Sequence, residues 1–261
     1  MAKVISLVNQ KGGVGKTTTS INLSASLGKL GKLTLLIDLD PQGNSSTGLG
    51  INKGDFEKTA YDVINGTAQA KEAIIKTRFE NLYIIPASIN MAGLDVELIQ
   101  KAYTNESFKF QEQLKNVLED IRDKFDYIII DCPPSLGLLS TNALVASDSV
   151  IIPVQCEFFA LEGITQLLNT IIMTQAKLNP NLKIEGVLLT LLDARTNLGL
   201  EVVEEVRKYF KEKVFDTIIP RLIRLVEAPS HGEPIGEYDP KSRANEAYLN
   251  LAKEVIERNG N

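Results

Sequence analysis

The sequence predicts an α/β fold in which helices cover both faces of a twisted, mostly parallel β-sheet. Short runs rich in β-branched residues alternate with longer amphipathic stretches along the chain. Several of the short runs, such as residues 127–130, are apolar at successive positions, which is typical of strands buried on both faces. The chain has 261 residues, of which 44% are hydrophobic and 23% charged, and this is ordinary globular composition with ample material for a core.

The apolar runs and their spacing predict the elements in order. Apolar residues three and four positions apart indicate amphipathic helices over 108–125 and 161–172, and a last one with Tyr248, Leu251, Ala252, Val255 and Ile256 on its apolar face. Residues 51–81 are more polar and less periodic, and we expect a helical insertion there. The predicted strands are Lys3–Asn9, Leu33–Asp38, Leu82–Pro86, Tyr127–Asp131, Ser149–Val154, Ile184–Leu192 and Val214–Ile219.

Composition excludes several classes of protein. No internal repeat, low-complexity tract or Pro/Ser-rich linker interrupts the sequence, so we expect residues 1–261 to form a single domain. The 28 Lys and Arg residues against 33 Asp and Glu give a net charge of −5, which argues against a surface coated in positive charge but allows a local basic patch. Two cysteines are too few for a disulfide framework, and no apolar run is long enough to cross a bilayer. We therefore expect a soluble, cytoplasmic protein.

A glycine-rich segment follows the first predicted strand and leads into a helix. It consists of Lys11, Gly12, Gly13, Val14, Gly15, Lys16, Thr17 and Thr18. Glycines let the backbone curl so that successive N–H groups point at phosphate oxygens, and the helix adds the positive end of its dipole. Lys16 is placed to reach the β- and γ-phosphates, and the Thr17 hydroxyl to bind Mg²⁺. The segment predicts a P-loop NTPase that takes ATP with Mg²⁺.

The loop departs from the usual template G-x-x-x-x-G-K-[ST], because Gln10 stands where the first glycine falls. It has instead a second lysine, Lys11, at its entrance. A glycine-rich turn with incidental lysines is the alternative interpretation, and the position between a strand and a helix argues against it.

Acidic residues end two other predicted strands. Asp38 and Asp40 end the second strand and Asp131 ends the fourth, and the carboxyl ends of parallel strands share the edge where the P-loop lies. Asp131 is placed to hold Mg²⁺ through a water molecule. Asp40 is placed to orient or deprotonate the attacking water, and it could also contact Mg²⁺ through water; a helix cap or a loop acid remains the alternative. Asp38 is better suited to support these groups than to catalyse.

These segments together resemble the ParA/Soj family of chromosome and plasmid partition ATPases, whose P-loop is called a deviant Walker A motif. The resemblance runs through nearly the whole chain, and no DNA-binding domain precedes the P-loop, as in the short chromosomal Soj type. It is carried by residues 11–18, 38–44, 129–137, 153–157, 192–197 and 227–232.

The resemblance implies roles for single residues. Lys11 matches the signature lysine that crosses a dimer interface to the partner's nucleotide, and Gly12 a point of close approach where a side chain should block dimerisation. Lys16 and Asp40 match the P-loop lysine and the water-activating acid, so Lys11, Lys16 and Asp40 are the implied catalytic residues. Asp131 matches the Walker B aspartate.

The family also holds adenine partly through the loop after a late strand, here Pro220 and Leu222. Members commonly have Asn at the position of Leu222, so backbone contacts would substitute for a side-chain hydrogen bond to the base. Another departure is Ala244, where the family usually has Gly.

Members of this size bind double-stranded DNA non-specifically as ATP dimers. The matching residues are Arg195 and Arg224, and Lys241 and Arg243 could join them through phosphate contacts. The alternative for each is a solvated surface residue or one paired with an acid, because the positive and negative charges of residues 220–243 cancel.

The implied function is an ATP-dependent dimerising switch that binds DNA and drives chromosome or plasmid segregation. A ParB/Spo0J-like centromere-binding protein stimulates a weak intrinsic hydrolysis, which releases the dimer from the nucleoid. A membrane-associated positioning ATPase of the MinD type is the runner-up, although the charge-balanced C-terminal tail disfavours it and no stable membrane association is expected. An electron-transfer ATPase, whose cluster would need both Cys132 and Cys156, and a metabolic ligase on the same fold are further alternatives.

Overall fold

The computed structural model describes residues 1–52, 54–157 and 164–260. This part of the chain contains a seven-stranded sheet in the order β3-β4-β2-β5-β1-β6-β7, in which β3 is antiparallel to β4 and all other pairs are parallel. The predicted fold class is confirmed. The strands are β1 Lys3–Leu7, β2 Thr34–Asp38, β3 Ile75–Lys76, β4 Leu82–Ile85, β5 Tyr127–Asp131, β6 Ser149–Gln155 and β7 Lys183–Thr190.

Helices connect the strands on both faces of the sheet. Short 3₁₀ turns occur at Ile89–Gly93, Arg122–Lys124, Lys211–Lys213 and Ala228–His231. The α-helices are α1 Lys16–Lys29, α2 Asn44–Gly48, α3 Ala60–Ile64, α4 Ala70–Ala73, α5 Leu94–Thr104, α6 Gln113–Glu119, α7 Leu138–Ala146, α8 Ile164–Lys177, α9 Asn197–Phe210, α10 Ile223–Glu227, α11 Ile235–Tyr238 and α12 Arg243–Arg258.

Six of the predicted strands are confirmed, and the prediction of a strand over Val214–Ile219 is wrong. Val214 makes one isolated parallel bridge to Val187 beside β7, and no named strand covers the segment. The N–H groups of Phe215 and Ile219 donate to carbonyls of β7. Between them, the Glu254 carboxylate accepts the N–H groups of Asp216 (2.9 Å) and Thr217 (3.2 Å), so the ladder is interrupted. The two-residue strand β3 was not predicted, because it is too short to show periodicity.

The helix predicted over 108–125 is largely wrong. Only α6 is α-helical there, and the Arg122–Lys124 turn follows it. The Asn142 side chain donates to the Phe110 carbonyl (3.0 Å) before α6 and accepts the Leu114 N–H (3.2 Å) in its first turn, so a tertiary contact marks the start of this helix. The insertion at 51–81 contains the short helices α3 and α4, as expected of a helical segment, together with the strand β3. Helix α8 is confirmed from Ile164 onward, and Leu161 lies outside the described residues.

The sheet separates two hydrophobic cores. Successive strand residues alternate between them, as Val4 and Ile5 do in β1, because side chains of a strand point to opposite faces. One core packs α1 and α12 against the sheet, and Tyr248 of α12 is completely buried there. The other core is covered by helices α3 to α9. Helices therefore cover both faces of the sheet, and the positions open to a ligand lie where the strands end.

Register brings the acidic strand ends together. In the parallel pairing of β2 with β5, Asp38 lies opposite Asp131, and in the pairing of β1 with β5, Leu7 also lies opposite Asp131. The phosphate loop begins at Lys11, four positions after the last residue of β1. The phosphate loop and both carboxylates therefore share one edge of the sheet.

A close backbone contact fixes α1 against the sheet. A Cβ at Gly28 would lie 2.2 Å from the Glu80 carbonyl oxygen, and the Asn81 amide donates to the Gly28 carbonyl at 3.1 Å. We predict that Gly28→Ala lowers the free energy of unfolding by about 1–3 kcal/mol, since the helix must move away from this backbone. Urea denaturation measures the change. Gly93→Ala is the matched control, because a Cβ there meets nothing within 4 Å, and equal losses in both variants would contradict the packing argument.

Candidate nucleotide-binding site

The phosphate loop is held at its entrance by Asn9. The Asn9 side chain donates to the Pro153 carbonyl of β6 at 2.7 Å and accepts the Lys11 N–H at 2.9 Å. Further along, Gly13 and Gly15 have φ of +75° and +87°, which residues with a Cβ rarely adopt. The sequence Gly-Val-Gly is therefore required by the path of the loop, which curls between β1 and the first turn of α1.

The two lysines of the loop lie in different environments. Lys16 is only 6% exposed, and its ammonium donates to the Lys11 carbonyl at 3.0 Å. Burial lowers the pKa of Lys16, and the negative charges of Asp131 and Asp40 act in the opposite direction. The Lys11 side chain is exposed. One lysine is thus built into the loop, whereas the other is available to an external partner.

Asp131 is completely buried and satisfied by hydroxyl groups. It accepts hydrogen bonds from Ser20 of α1 at 3.0 Å and from Ser45 of α2 at 2.7 Å, and the Thr17 hydroxyl also bonds to it. Burial raises the pKa of Asp131, while these hydroxyls partly offset the shift by stabilising the charge. A carboxylate and a Thr hydroxyl side by side are hard oxygen donors of the kind that Mg²⁺ prefers.

Asp38 lies beside Asp131 and is also completely buried. It accepts the N–H and the hydroxyl of Ser46 at 2.9 and 2.8 Å and the N–H of Asp40 at 3.2 Å. Burial and then the negative charge of Asp131 raise the pKa of Asp38 to about 7. Asp38 thus anchors α2 and the Asp40 turn to the sheet.

Asp40 lies in the turn between β2 and α2 and is 8% exposed. Its carboxylate accepts the Gln42 N–H at 2.9 Å, so it stabilises the local turn, as the alternative interpretation expected of a loop acid. It does not cap α2, whose N-cap is Gly43. The negative charge of Asp40 also opposes the lowering of the Lys16 pKa by burial, so Asp40 lies near the phosphate loop.

A cavity of about 440 Å³ extends from the loop along α1. Its wall combines apolar groups with hydroxyls, and sequence reasoning missed most of these residues because they come from separate elements with no shared motif. Pro220 and Leu222 are not among the lining residues, although Ile219 next to Pro220 is. Leu222 occupies the N-cap position of α10. The cavity is lined by Gly15, Thr17, Thr18, Ile21, Asn44, Thr47, Gly48, Thr190, Leu191, Ile219, Leu225, Val226, Pro229, Ser230 and Tyr248.

These residues fit a magnesium–nucleotide complex. The curled loop and the N-terminus of α1 suit phosphate groups, Lys16 and the hydroxyl of Thr17 lie at the same place, and an apolar wall suits a flat base. Asp131 and Thr17 together would hold the metal. Catalysis by Asp40 would need a water molecule between it and the terminal phosphate.

The four candidate DNA contacts lie on exposed positions, and two of them have acidic partners. Arg195 is 89% exposed at its side chain and forms a bidentate pair with Asp193 at 2.8 and 2.7 Å, which lowers the pKa of Asp193 to about 2. Arg224 pairs with Glu227 at 3.3 Å and its guanidinium lies over the Tyr238 ring.

Lys241 and Arg243 are exposed near the start of α12, and neither forms an ion pair with a described residue. All four cations can therefore reach a phosphate, but Arg195 and Arg224 must first give up their acidic partners.

Two structural features argue against the membrane-associated and the electron-transfer alternatives. The apolar face of α12, with Leu251 and Val255, is buried in the core and so is not available to a membrane surface. Cys132 and Cys156 are both buried free thiols, and neither is presented for a cluster shared between two chains. Across residues 1–52, 54–157 and 164–260, no helix is long and apolar enough to cross a membrane.

The buried acids give the protein a distinct pH dependence. With nucleotide and Mg²⁺ removed, the folded state holds the Asp38 proton more tightly than the unfolded chain, so stability is lost as pH rises from about 4 to about 7. We predict that Asp38→Asn raises the free energy of unfolding at pH 8 by about 1–3 kcal/mol and has little effect near pH 4.5. Denaturation at the two pH values measures it. Asp120→Asn, at an exposed position, should leave the free energy of unfolding unchanged at both pH values. A loss of stability in Asp38→Asn at pH 8 would contradict the raised pKa of Asp38.

Comparison with known proteins places this geometry in a family. A family model described as an AAA domain matches residues 2–184. The chain is 58% identical over 255 residues to the sporulation initiation inhibitor protein Soj of Bacillus subtilis, covering 98% of each chain. It is 49% identical over 260 residues to the chromosome-partitioning ATPase Soj of Treponema pallidum, covering 100% of this chain and 99% of that protein.

Solved structures with the same fold hold nucleotides. One is a cobyrinic acid a,c-diamide synthase from Mycobacterium smegmatis with bound ADP and magnesium (TM-score 0.83, 35% identity, 97% of this chain and 93% of that one). Another is the septum site-determining protein MinD from Pyrococcus horikoshii complexed with Mg-ADP (TM-score 0.82, 29% identity, 100% and 98%). Since identity is much higher to the Soj proteins and spans nearly the whole of both chains, the protein belongs to the Soj/ParA family of chromosome-partitioning proteins.

Proposed function

We propose that this chain is an ATP-dependent switch that dimerises with ATP, binds DNA non-specifically and drives chromosome or plasmid segregation. The observation that carries the proposal is the pair of lysines on one phosphate loop, of which Lys16 is buried in the loop and Lys11 is exposed at its entrance. A loop that contacted only the nucleotide of its own chain would need Lys16 and not Lys11. Full-length identity to Soj proteins supports the same function.

Nucleotide binding uses the loop backbone, Lys16 and the hydroxyl of Thr17. Lys16 exchanges the Lys11 carbonyl for phosphate oxygens, and the Gly12–Thr18 backbone N–H groups surround the same charge. Asp131, through a water molecule, and Thr17 would hold Mg²⁺, and Asp40 would be a further group facing it through water. Mg²⁺ supplies charge stabilisation for the phosphates when it is bound. The backbones of Pro220 and Leu222 are the groups we propose for the base, because Ile219 beside Pro220 lines the cavity.

Hydrolysis depends on Asp40. Its carboxylate orients the attacking water and accepts its proton, while Lys16, and Lys11 from the second chain, stabilise the charge that develops on the phosphate. One carboxylate fixed in a turn gives a weak intrinsic rate. A ParB/Spo0J-like partner raises that rate and so sets when the dimer falls apart.

Dimerisation places Lys11 against the partner's nucleotide. A Cβ at Gly12 would meet nothing within 4 Å in its own chain, and Gly12 does not have the left-handed backbone of Gly13 and Gly15. The chain's own fold therefore does not require glycine at this position. Close approach of a second chain is the reason we propose for it.

DNA binding depends on pairing of the two chains. Net charge is −5, so one chain attracts DNA weakly, and a dimer doubles the phosphate contacts of Arg195, Arg224, Lys241 and Arg243. Such contacts read the backbone rather than the sequence. The dimer therefore associates with the nucleoid and leaves it after hydrolysis.

Two variants separate the steps of the switch. We predict that Asp40→Ala lowers ATP turnover at least about 100-fold and accumulates as an ATP-bound dimer on DNA, because the water is no longer activated. Gly12→Val should stay folded and bind nucleotide but remain a monomer that releases DNA. Gel filtration and DNA binding with ATP, with ADP and without nucleotide measure these outcomes.

The wild type serves as the reference in the same measurements. It should bind DNA with ATP and only weakly with ADP or without nucleotide. Equal DNA binding in all three conditions, or an ATP-bound Asp40→Ala protein that stays monomeric, would refute the switch.

The arginines can be tested by the salt dependence of DNA binding. We predict that Arg195→Ala weakens binding by several-fold and lowers the slope of log affinity against log salt by about 2 for a dimer, since each chain loses one phosphate contact. Arg224→Ala should act in the same direction. Arg207→Ala removes the same charge from an exposed position of α9 and should leave the slope almost unchanged. Equal effects at 195 and 207 would mean that net charge, not contact, governs binding.

A further inference from the structure

A side chain from the second half of the protein contacts the phosphate loop. Thr190, the last residue of β7, is 1% exposed, and its hydroxyl donates to the Val14 carbonyl at 2.8 Å. The two residues are 176 positions apart in sequence. Thr190 also lines the cavity, and its side chain lies within 4 Å of the place where a Cβ of Gly15 would be. The loop is thus attached to β7 at its most sharply curved part.

The backbone around Thr190 is itself held in place. The Thr190 carbonyl accepts the Cys156 N–H at 3.0 Å. Directly afterwards, Leu191 has φ of +55°, a conformation that leucine rarely adopts and that a structure keeps only where its surroundings enforce it. The Leu192 N–H then donates to the Ile219 carbonyl at 3.1 Å. Bonds on both sides and a strained residue between them keep the Thr190 hydroxyl directed at the loop.

This contact sets the direction of one loop N–H group. In a planar trans peptide the carbonyl and the following N–H point in opposite directions, so fixing the Val14 carbonyl also fixes the Gly15 N–H. Glycine has more conformational freedom than any other residue, and this peptide precedes a glycine with φ of +87°. Without the contact, the peptide could rotate and turn its N–H away from a bound phosphate.

We propose that Thr190 is a positioning residue for nucleotide binding, which holds the Val14–Gly15 peptide so that the Gly15 N–H faces the phosphates. This inference rests on the proposed binding of ATP and ADP by the loop. A purely structural role, in which the hydroxyl satisfies a buried carbonyl, would affect stability but not nucleotide affinity. The two roles are therefore separable by measuring both quantities.

Thr190→Val keeps the shape of the side chain and removes its donor. The dissociation constants of Mg-ATP and Mg-ADP should rise about tenfold in this variant, as expected for the loss of one well-placed buried hydrogen bond. Thr190→Ser keeps the hydroxyl and should bind within about twofold of the wild type. Fluorescent-nucleotide titration gives the affinities, and circular dichroism confirms that each variant is folded at the assay temperature.

Thr34→Val is a matched control at the opposite end of the sheet. Thr34 is completely buried, and its hydroxyl donates to the Lys32 carbonyl at 2.9 Å, so the chemical change is the same. This variant should lose stability and keep its nucleotide affinity. If valine at 190 impairs folding, Thr190→Ala in the same titration replaces it.

Three outcomes would overturn the inference. They are wild-type affinity in Thr190→Val, an equal loss of affinity in Thr34→Val, and a serine variant as weak as the valine variant. Failure of the proposed function gives a different result, in which the wild type itself does not bind nucleotide or binds DNA equally well without ATP. Because ADP binding needs neither hydrolysis nor a dimer, the Thr190 comparison does not depend on those steps.

Discussion

Two carboxylates buried next to one another on neighbouring strands organise this protein. Asp38 and Asp131 lie opposite each other in the register of β2 and β5, and both are inaccessible to solvent. Buried charges are costly unless other groups satisfy them. Here the donors come from α1, from the phosphate loop and from α2, so the same hydrogen bonds that satisfy the acids also fix the three segments that surround the site. The geometry of the loop and the stability of the fold therefore depend on one network.

The same network also explains why the site favours cations. Two adjacent acids repel each other, and a cation placed against them relieves that repulsion, so a metal ion and a buried lysine are both favoured here. Lys16 lies within the influence of Asp131 and Asp40. Helix α2 is joined to the same network, because the hydroxyls of Ser45 and Ser46 donate to Asp131 and Asp38.

The sequence was sufficient to predict the central sheet, the phosphate loop and the meeting of the acids at one edge. Those predictions rest on local patterns, such as the apolar run at 127–130 and the Gly-Lys-Thr segment. It was not sufficient where a distant side chain decides the local structure. The Glu254 carboxylate accepts a backbone N–H within 214–219, and the Asn142 side chain accepts the Leu114 N–H in the first turn of α6.

The cavity wall shows the same limit. Leu225, Pro229 and Tyr248 converge only through tertiary packing, and the contact between Thr190 and Val14 joins two strand ends that no spacing rule connects. Tyr248 was recognised from its periodicity as a core residue, which is correct, yet the same side chain also lines the cavity.

The two edges of the sheet have a consequence for assembly. On one side β3 is only two residues long and runs antiparallel, and on the other the chain near Val214 covers part of β7, where Arg258 donates to the carbonyls of Glu185 and Val214. Short or covered edges offer few free backbone groups for another strand, and this suppresses sheet-to-sheet aggregation. For a chain that we propose to pair through its nucleotide site, protected sheet edges keep strand-to-strand association from competing with that pairing.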